Sequence, residues 1–332
     1  MRRGNPLIYS AAEIFCIWQR ALPRCRPCRV SRGAQAYPTR PVRIIVGFAP
    51  AGGQDIVARL IGHSLSERLG QQLIIDNRPG AGSNIAAEAV VHSAPDGYTL
   101  LLVGPPNAIN ATLYEKLNFN FLRDIAPVAA MMRVPNVMEV NPSVPARTVP
   151  EFIAYARANP GKIGMASAGI GSGPHMAGEL FKMMAAVDMV HVPYRGGGPA
   201  LIDLIAGQVQ VTFEPVSSSI EHIRAGRLRA LAVTSAMRSA ALPDVPTVGE
   251  FVPGYEASAF YGVGVPKRTP VEIVETLNKE INASLTDPKV KARFANLGGI
   301  VLTGSPADFG KLIAEETEKW AKVIRAVHIK VQ

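Results

Sequence analysis

Cysteine is nearly missing from this chain. Its 332 residues hold three, Cys16, Cys25 and Cys28, so a protein starting near Tyr37 carries no thiol. That suits an oxidising compartment without calling for a disulfide. Cys25 and Cys28 have CxxC spacing, but no second pair completes a zinc site, and no metal is expected. Aromatic residues are also few, at 6%. The formal charge of +9 comes mostly from residues 1–36, which hold seven arginines, no lysine and one acid, Glu13. The remainder has 28 basic against 25 acidic residues. Without a basic footprint or stacking platforms, that remainder is not expected to bind nucleic acid. Past the leader no apolar run approaches the roughly 18 residues of a membrane span.

Several catalytic signatures are absent as well. GIGSGP at 169–174 lacks the third glycine of GxGxxG, and no GxxxxGK[ST] occurs. Ser172 lies between Gly171 and Gly173 without the GxSxG spacing of a nucleophile elbow, and there is no HExxH. No cofactor, no catalytic residue and no enzymatic activity are expected. The alternatives are an α/β enzyme acting on a small carboxylate or phosphate ester, and a sensory or signalling binding protein.

What the chain does have is two glycine-rich loops, FAPAGGQD at 48–55 and SAGIGSGPH at 167–175. Each lies between a strand-like apolar run and a helix-like stretch. Glycine lets backbone approach a ligand closely, and the first amides of a helix have no partner within it. Helix starts therefore attract carboxylates and phosphates. One such terminus is worth about 0.3–1 kcal/mol when exposed and up to about 2 when partly buried, so one loop is a weak receptor and two facing loops are a selective one.

At this length, with 48% hydrophobic residues, two cores can be built. From Pro41 the pattern alternates β and α, the sign of a largely parallel sheet covered by helices. Residues 127–141 read as two strands broken at Pro135. Residues 149–161 read as a helix with Pro150 in its first turn and Asn159-Pro160-Gly161 at its end. Residues 235–256, rich in proline and glycine, suit a return connection. The predicted fold class is α/β, with residues 37–137 and 258–332 as one lobe, residues 138–257 as a second, and two crossovers between them forming a hinge. Residues 1–36 read as a degenerate or mis-started signal. Arg2 and Arg3 precede the apolar AAEIFCIW, and Ala34-Gln35-Ala36 is an AxA cleavage site, but arginines interrupt the segment between them.

From about Tyr37 onward the sequence resembles the periplasmic, Bug-type receptors of tripartite tricarboxylate transporters. The matching stretches include YPTRPVRIIVGFAPAGGQDIVAR, NRPGAGSNIAAE, PDGYTLLLV, GSGPHMAGELF, HVPYRGGGPALIDLIAGQV, IRAGRLRALAVTS, ALPDVPTVGEF and YGVGVPKRTP. The resemblance implies a two-lobed Venus-flytrap fold of the type II-like periplasmic binding proteins. It also implies a small carboxylate ligand (a di- or tricarboxylate, an amino acid or an aromatic acid), a membrane permease as partner, and a periplasmic location. A monomer is the default for a receptor that opens and closes. Carried over, the ligand-binding positions are Ala49, Pro50, Ala51, Gly52, Gly53 and Asp55 in the first loop, and Ser167, Gly169, Gly171, Ser172 and His175 in the second. Gly80, Gly82, Asn107, Tyr194 and Glu214 are secondary candidates. Asp55 is odd in an anion site, because its charge would repel the ligand; its other role is to orient the loop. Glu214 departs from the aspartate expected of the family. No arginine stands out as a bidentate clamp.

Overall fold

A computed structural model describes residues 37–327, together with Met1 and Gly4. The leader cysteines and the cleavage site expected before Tyr37 lie outside the described residues. In chain order the elements are β1 (Val42–Val46), α1 (Gly53–Leu69), β2 (Leu73–Asn77), α2 (Asn84–Val91), β3 (Thr99–Val103), α3 (Pro105–Leu113), α4 (Phe121–Asp124) and β4 (Ile125–Val140). Then come α5 (Val149–Ala158), β5 (Gly164–Ser167), α6 (Gly173–Ala185), β6 (Val190–Pro193), α7 (Gly197–Ile205), β7 (Val211–Pro215), α8 (Val216–Arg224) and β8 (Arg229–Val233). The chain finishes with β9 (Ser258–Pro266), α9 (Val271–Thr286), α10 (Pro288–Asn296), β10 (Ile300–Val301) and α11 (Pro306–Val327).

The strands run in the order β2-β1-β3-β9-β4-β7-β5-β6, with β8 and β10 also on β4. β1 is parallel to β2 and β3, and β5 is parallel to β6 and β7, as crossover helices require. β9 and β4 are antiparallel inserts between these two parallel groups. β1 and β3 are almost wholly buried and read as near-continuous apolar runs, because helices cover both faces.

β4 corrects one expectation: Pro135 does not break residues 127–141 into two strands. The strand is continuous over 16 residues, and Pro135 sits where the pairing changes hands. Residues 125–135 pair with β9, and residues 136–140 with β7. A proline removes one ladder donor, which is least costly where one ladder ends and the next begins. Thr234 ties the crossings together. Its amide donates to the Asn136 carbonyl and its hydroxyl accepts from the Asn136 amide, while the Ala257 amide donates to the Thr234 carbonyl, each at 2.9 Å.

The apolar core forms several clusters. One joins β1, β3, β4 and β9 to α1 and α9 and takes in Val216 and Ile220 of α8, and a second joins Phe152, Phe181, Phe213 and Tyr255 to Leu113 and Trp320. Among the described residues, no helix is long and apolar enough to cross a membrane.

Candidate functional site

A small cavity lies where helix starts converge. Its wall includes Gly52 and Gly53 at the start of α1, Pro105 and Pro106 at α3, Ser172, Gly173 and Pro174 at α6, Gly197 at α7, and Pro215 at α8. The sequence explains each start. Proline supplies the first turns of α3 and α6, where its missing N–H costs nothing. Glycines open α1 and α7 with no side-chain cap, so their leading amides are not satisfied by capping groups. Ser172 caps α6 by accepting from the His175 amide at 3.3 Å. Among the described residues no lysine, arginine or histidine lines the cavity. What the wall offers an anion is the backbone dipoles of the helix starts.

The rest of the wall is apolar or carries free polar atoms. Phe48, Ala168 and Ala259 supply hydrocarbon surface. Gln54 and Glu214 line the cavity with buried oxygens, Gln54 Oε1 and Glu214 Oε1, that have no partner among the described residues. Ser217 Oγ is likewise unpartnered. A Cβ added to Gly53 would stand 2.8 Å from Tyr261 Oη and 3.0 Å from this serine oxygen, which places both groups beside the first loop.

Of the positions named from sequence, Gly52, Gly53, Ser172 and Glu214 fall in the wall. Ala49, Pro50 and Ala51 face the Arg195-Gly196-Gly197-Gly198 loop instead. The Ala49 amide donates to the Arg195 carbonyl at 3.0 Å, and a Cβ on Gly198 would come within 2.5 Å of the Pro50 carbonyl. Asp55 lies outside the wall with both oxygens occupied. Oδ2 accepts from the Ala51 amide and from Arg59 Nε, both at 2.9 Å, and Oδ1 from Asn77 at 3.0 Å. Burial raises its pKa, but Arg59, the Ala51 amide and Asn77 together bring it below the usual value.

That bond holds Ala51 at φ 67°, a left-handed conformation that costs an L-residue about 1–2 kcal/mol. Ala51→Gly is therefore expected to raise stability by about 0.5–1 kcal/mol once the added freedom of the unfolded chain is subtracted. Urea unfolding of the two proteins measures it; a less stable glycine variant would mean the strain is relieved some other way.

In the second loop, Ser167 and His175 lie behind the wall. Ser167 Oγ is 2.6 Å from His191 Nε2 and accepts from the Gly169 amide at 3.1 Å. His175 stacks on His191 with ring centroids 4.0 Å apart, and its Nδ1 accepts from the Gly171 amide at 3.3 Å. Burial, with smaller contributions from His191 and Lys182, pushes His175 down to about 3. It is a neutral prop for the loop at any ordinary pH. Gly169 and Gly171 take φ of 121° and 78°, which favour glycine, and Gly171 lies against the Asn110 amide. Gly82 touches the Ile170 carbonyl, and Asn110 Nδ2 donates to Gly82 at 2.7 Å, so the loop around Gly80 and Gly82 braces the second loop. Asn107 begins α3 and accepts from the Gly104 amide at 2.9 Å. Tyr194 donates to Asp203 at 2.7 Å. None of these last residues is part of the wall.

Sequence reasoning did not single out Gly197, Gln54, Tyr261 or the Pro105-Pro106 pair. The first had a visible signal, since Arg195-Gly196-Gly197-Gly198 precedes a helix-like run as the other two glycine loops do. Tyr261 had none, because it lies inside an apolar strand far along the chain.

The profile of the family described as "Tripartite tricarboxylate transporter family receptor" matches residues 57–329. Protein BugT of Bordetella pertussis is 37% identical over 302 residues, covering 90% of this chain and 93% of its own. A protein of R. palustris solved with adipate is 38% identical with a TM-score of 0.86, covering 89% of this chain and 99% of that one. MatC from Rhodopseudomonas palustris, solved with bound malate, is 32% identical with a TM-score of 0.84, covering 87% and 100%. The architecture is the two-lobed fold of periplasmic binding proteins. The chain belongs to the Bug-type receptors of the tripartite tricarboxylate transporter family.

Proposed function

We propose that the protein binds a small organic acid in the cavity between its two lobes, 37–137 with 258–332 and 138–257, and delivers it to a membrane permease. The observation that carries this reading is the convergence of five helix starts on a cavity without a basic side chain. Each partly buried helix start contributes up to about 2 kcal/mol to an anion, so together they replace an arginine clamp. The apolar wall suits a ligand with a hydrocarbon body, and the free oxygens suit groups that donate hydrogen bonds. Adipate and malate, held by two similar proteins, set the size class. Closure about the Asn136–Thr234–Ala257 crossings would bring the loops onto the ligand, and the closed form would be read by the permease. Work in the periplasm as a monomer without catalysis follows from the same reading, with residues 1–36 as the export signal. The ligand-contacting positions are those in the cavity wall, with the remaining glycine-loop residues shaping it.

Isothermal titration of the purified protein against adipate, malate, amino acids and aromatic acids tests the proposal. One-to-one binding of at least one acid, with no product formed, is the expected result. Turnover of the acid would assign the cavity to an enzyme, and no binding across the panel would set the carboxylate reading aside.

A further inference from the structure

Among the described residues Glu214 is the only acidic side chain in the cavity wall. It is 1% exposed, its Oε1 has no partner among them, and a side chain at Gly197 would overlap its Oε2. A second buried acid lies beside it. On paired strands β4 and β7, Val137 stands opposite Glu214 and Glu139 opposite Thr212, so Glu139 and Glu214 share a face one diagonal step apart. Glu139 is wholly buried, accepts from Ser219 Oγ at 2.5 Å, and leaves its Oε2 without a partner.

Among the described residues the neighbouring elements supply no ion-pair partner: Arg229 of β8, next to the Ala230 that pairs with Glu139, donates instead to the Pro142, Val144 and Ala146 carbonyls. β9 brings the Tyr261 hydroxyl, α8 brings Ser217, Ser218 and Ser219, α1 brings Gln54, α6 brings Ser172, and α7 brings the backbone of Gly197. The charged or titratable residues of α8, Glu221, His222 and Arg224, lie on its exposed or half-buried later turns. Two buried carboxylates without a cation cannot both ionise cheaply. Burial pushes Glu214 up to about 8, opposed only by a hydrogen bond from Ser218. Burial also raises Glu139 well above the usual carboxylate range, with the charge of Glu214 as a lesser cause.

An ionised Glu214 would repel an entering carboxylate, whereas its acid form offers one O–H donor and makes a short charge-assisted bond. The helix starts then hold the negative charge that the ligand brings. We infer that Glu214 meets the ligand carboxylate as a carboxylic acid, donating its O–H, so that capture of the solute is linked to a proton. The inference rests on the carboxylate-receptor reading above.

The sign follows from linkage. Below about pH 7 the free receptor already holds the proton, so affinity is flat. Above about pH 8 the proton must be taken up on binding, and affinity falls about tenfold per pH unit. Titration of adipate and malate from pH 6 to about 9.5, in two buffers of different ionisation enthalpy, should show this slope and proton uptake on its alkaline limb. Glu214→Gln keeps an N–H donor but cannot titrate, so the slope should vanish. Wild-type affinity that is flat to the alkaline end, or a slope that survives in Glu214→Gln, overturns the inference. So does tighter binding of hexamethylenediamine than of adipate, which would give Glu214 the role of an anion. A separate measurement needs no ligand: carbon NMR of isotope-labelled glutamate should show two buried side chains that stay protonated at pH 7, with the signal of Glu214 absent in Glu214→Gln. If no acid binds while that signal titrates late, the receptor reading fails and the acid form of Glu214 stands. If the signal is already ionised at pH 6, the inference fails whatever binds.

Discussion

Gly53→Val is expected to weaken binding of the preferred acid by about a hundredfold or more, about 2.7 kcal/mol, while leaving the fold intact. The added Cβ would stand 2.8 Å from Tyr261 Oη, 3.0 Å from Ser217 Oγ and 3.2 Å from Pro215 Cβ, and valine puts two more methyl groups into the same space. Tyr261 and Pro215 are buried in the cavity wall and cannot swing aside freely. Overpacking of this kind costs about 1–3 kcal/mol, and it falls where the ligand must fit and the cleft must close. The backbone tolerates the change, because Gly53 does not have a positive φ. Gly53→Ala, with fewer atoms, should lose less.

Gly171→Val supplies the contrast. At φ 78°, against Asn110, it strains the loop rather than filling the cavity. It should lower thermal stability as strongly as affinity, whereas Gly53→Val should lower affinity strongly at a stability cost of about 1–3 kcal/mol. Titration calorimetry and thermal melts of both variants separate the cases. Wild-type affinity in Gly53→Val would move the ligand out of this cavity.

That contrast marks how far the sequence could be read. Composition and spacing made both glycine loops visible, because glycine between a strand and a helix start leaves a pattern of a few adjacent residues. They gave no means of telling a glycine that admits a ligand from one that admits a neighbouring side chain. Gly53 meets Tyr261 across a gap of more than two hundred residues in sequence, and Gly171 meets Asn110, so their difference is set by distant partners. Asp55 shows the same limit. As a residue type it belongs in neither an anion site nor an apolar wall; Arg59, one helical turn on, and Asn77, on the next strand, give it its place. The α/β alternation was legible because it depends on local periodicity, and the two-lobed class came with the family resemblance. Helix α3 was not, since Pro105-Pro106 after a buried strand reads as a strand end until Asn107 is seen capping Gly104. Pro135 misled for the opposite reason. A proline inside an apolar run usually ends a strand, but here it falls at the exchange of partners from β9 to β7.

Trp320→Ala is expected to destabilise the protein by about 3–5 kcal/mol, the range for emptying a large buried aromatic site. Trp320 is 1% exposed on α11 and belongs to the cluster that holds Phe181, Phe213 and Tyr255. Earlier on the same helix, Phe309 and Ile313 belong to a different cluster, with Phe260 and Leu101. The last helix is thus anchored in two cores, and Trp320 is the largest side chain at its second anchor. Its indole Nε1 has no partner among the described residues. Truncation therefore loses packing and apolar burial but no hydrogen bond, and Trp320→Phe, which removes the unpaired donor, should lose clearly less. For a chain of this size the alanine variant should melt about 5–8 °C below the parent, read by calorimetry. Hydrogen exchange locates the damage: amides around residue 320 should lose protection while those around Phe309 keep theirs, because each half of the helix depends on its own cluster. A drop of less than about 2 °C, or protection lost evenly along α11, would show that the second anchor contributes little and that the helix is held from its first half.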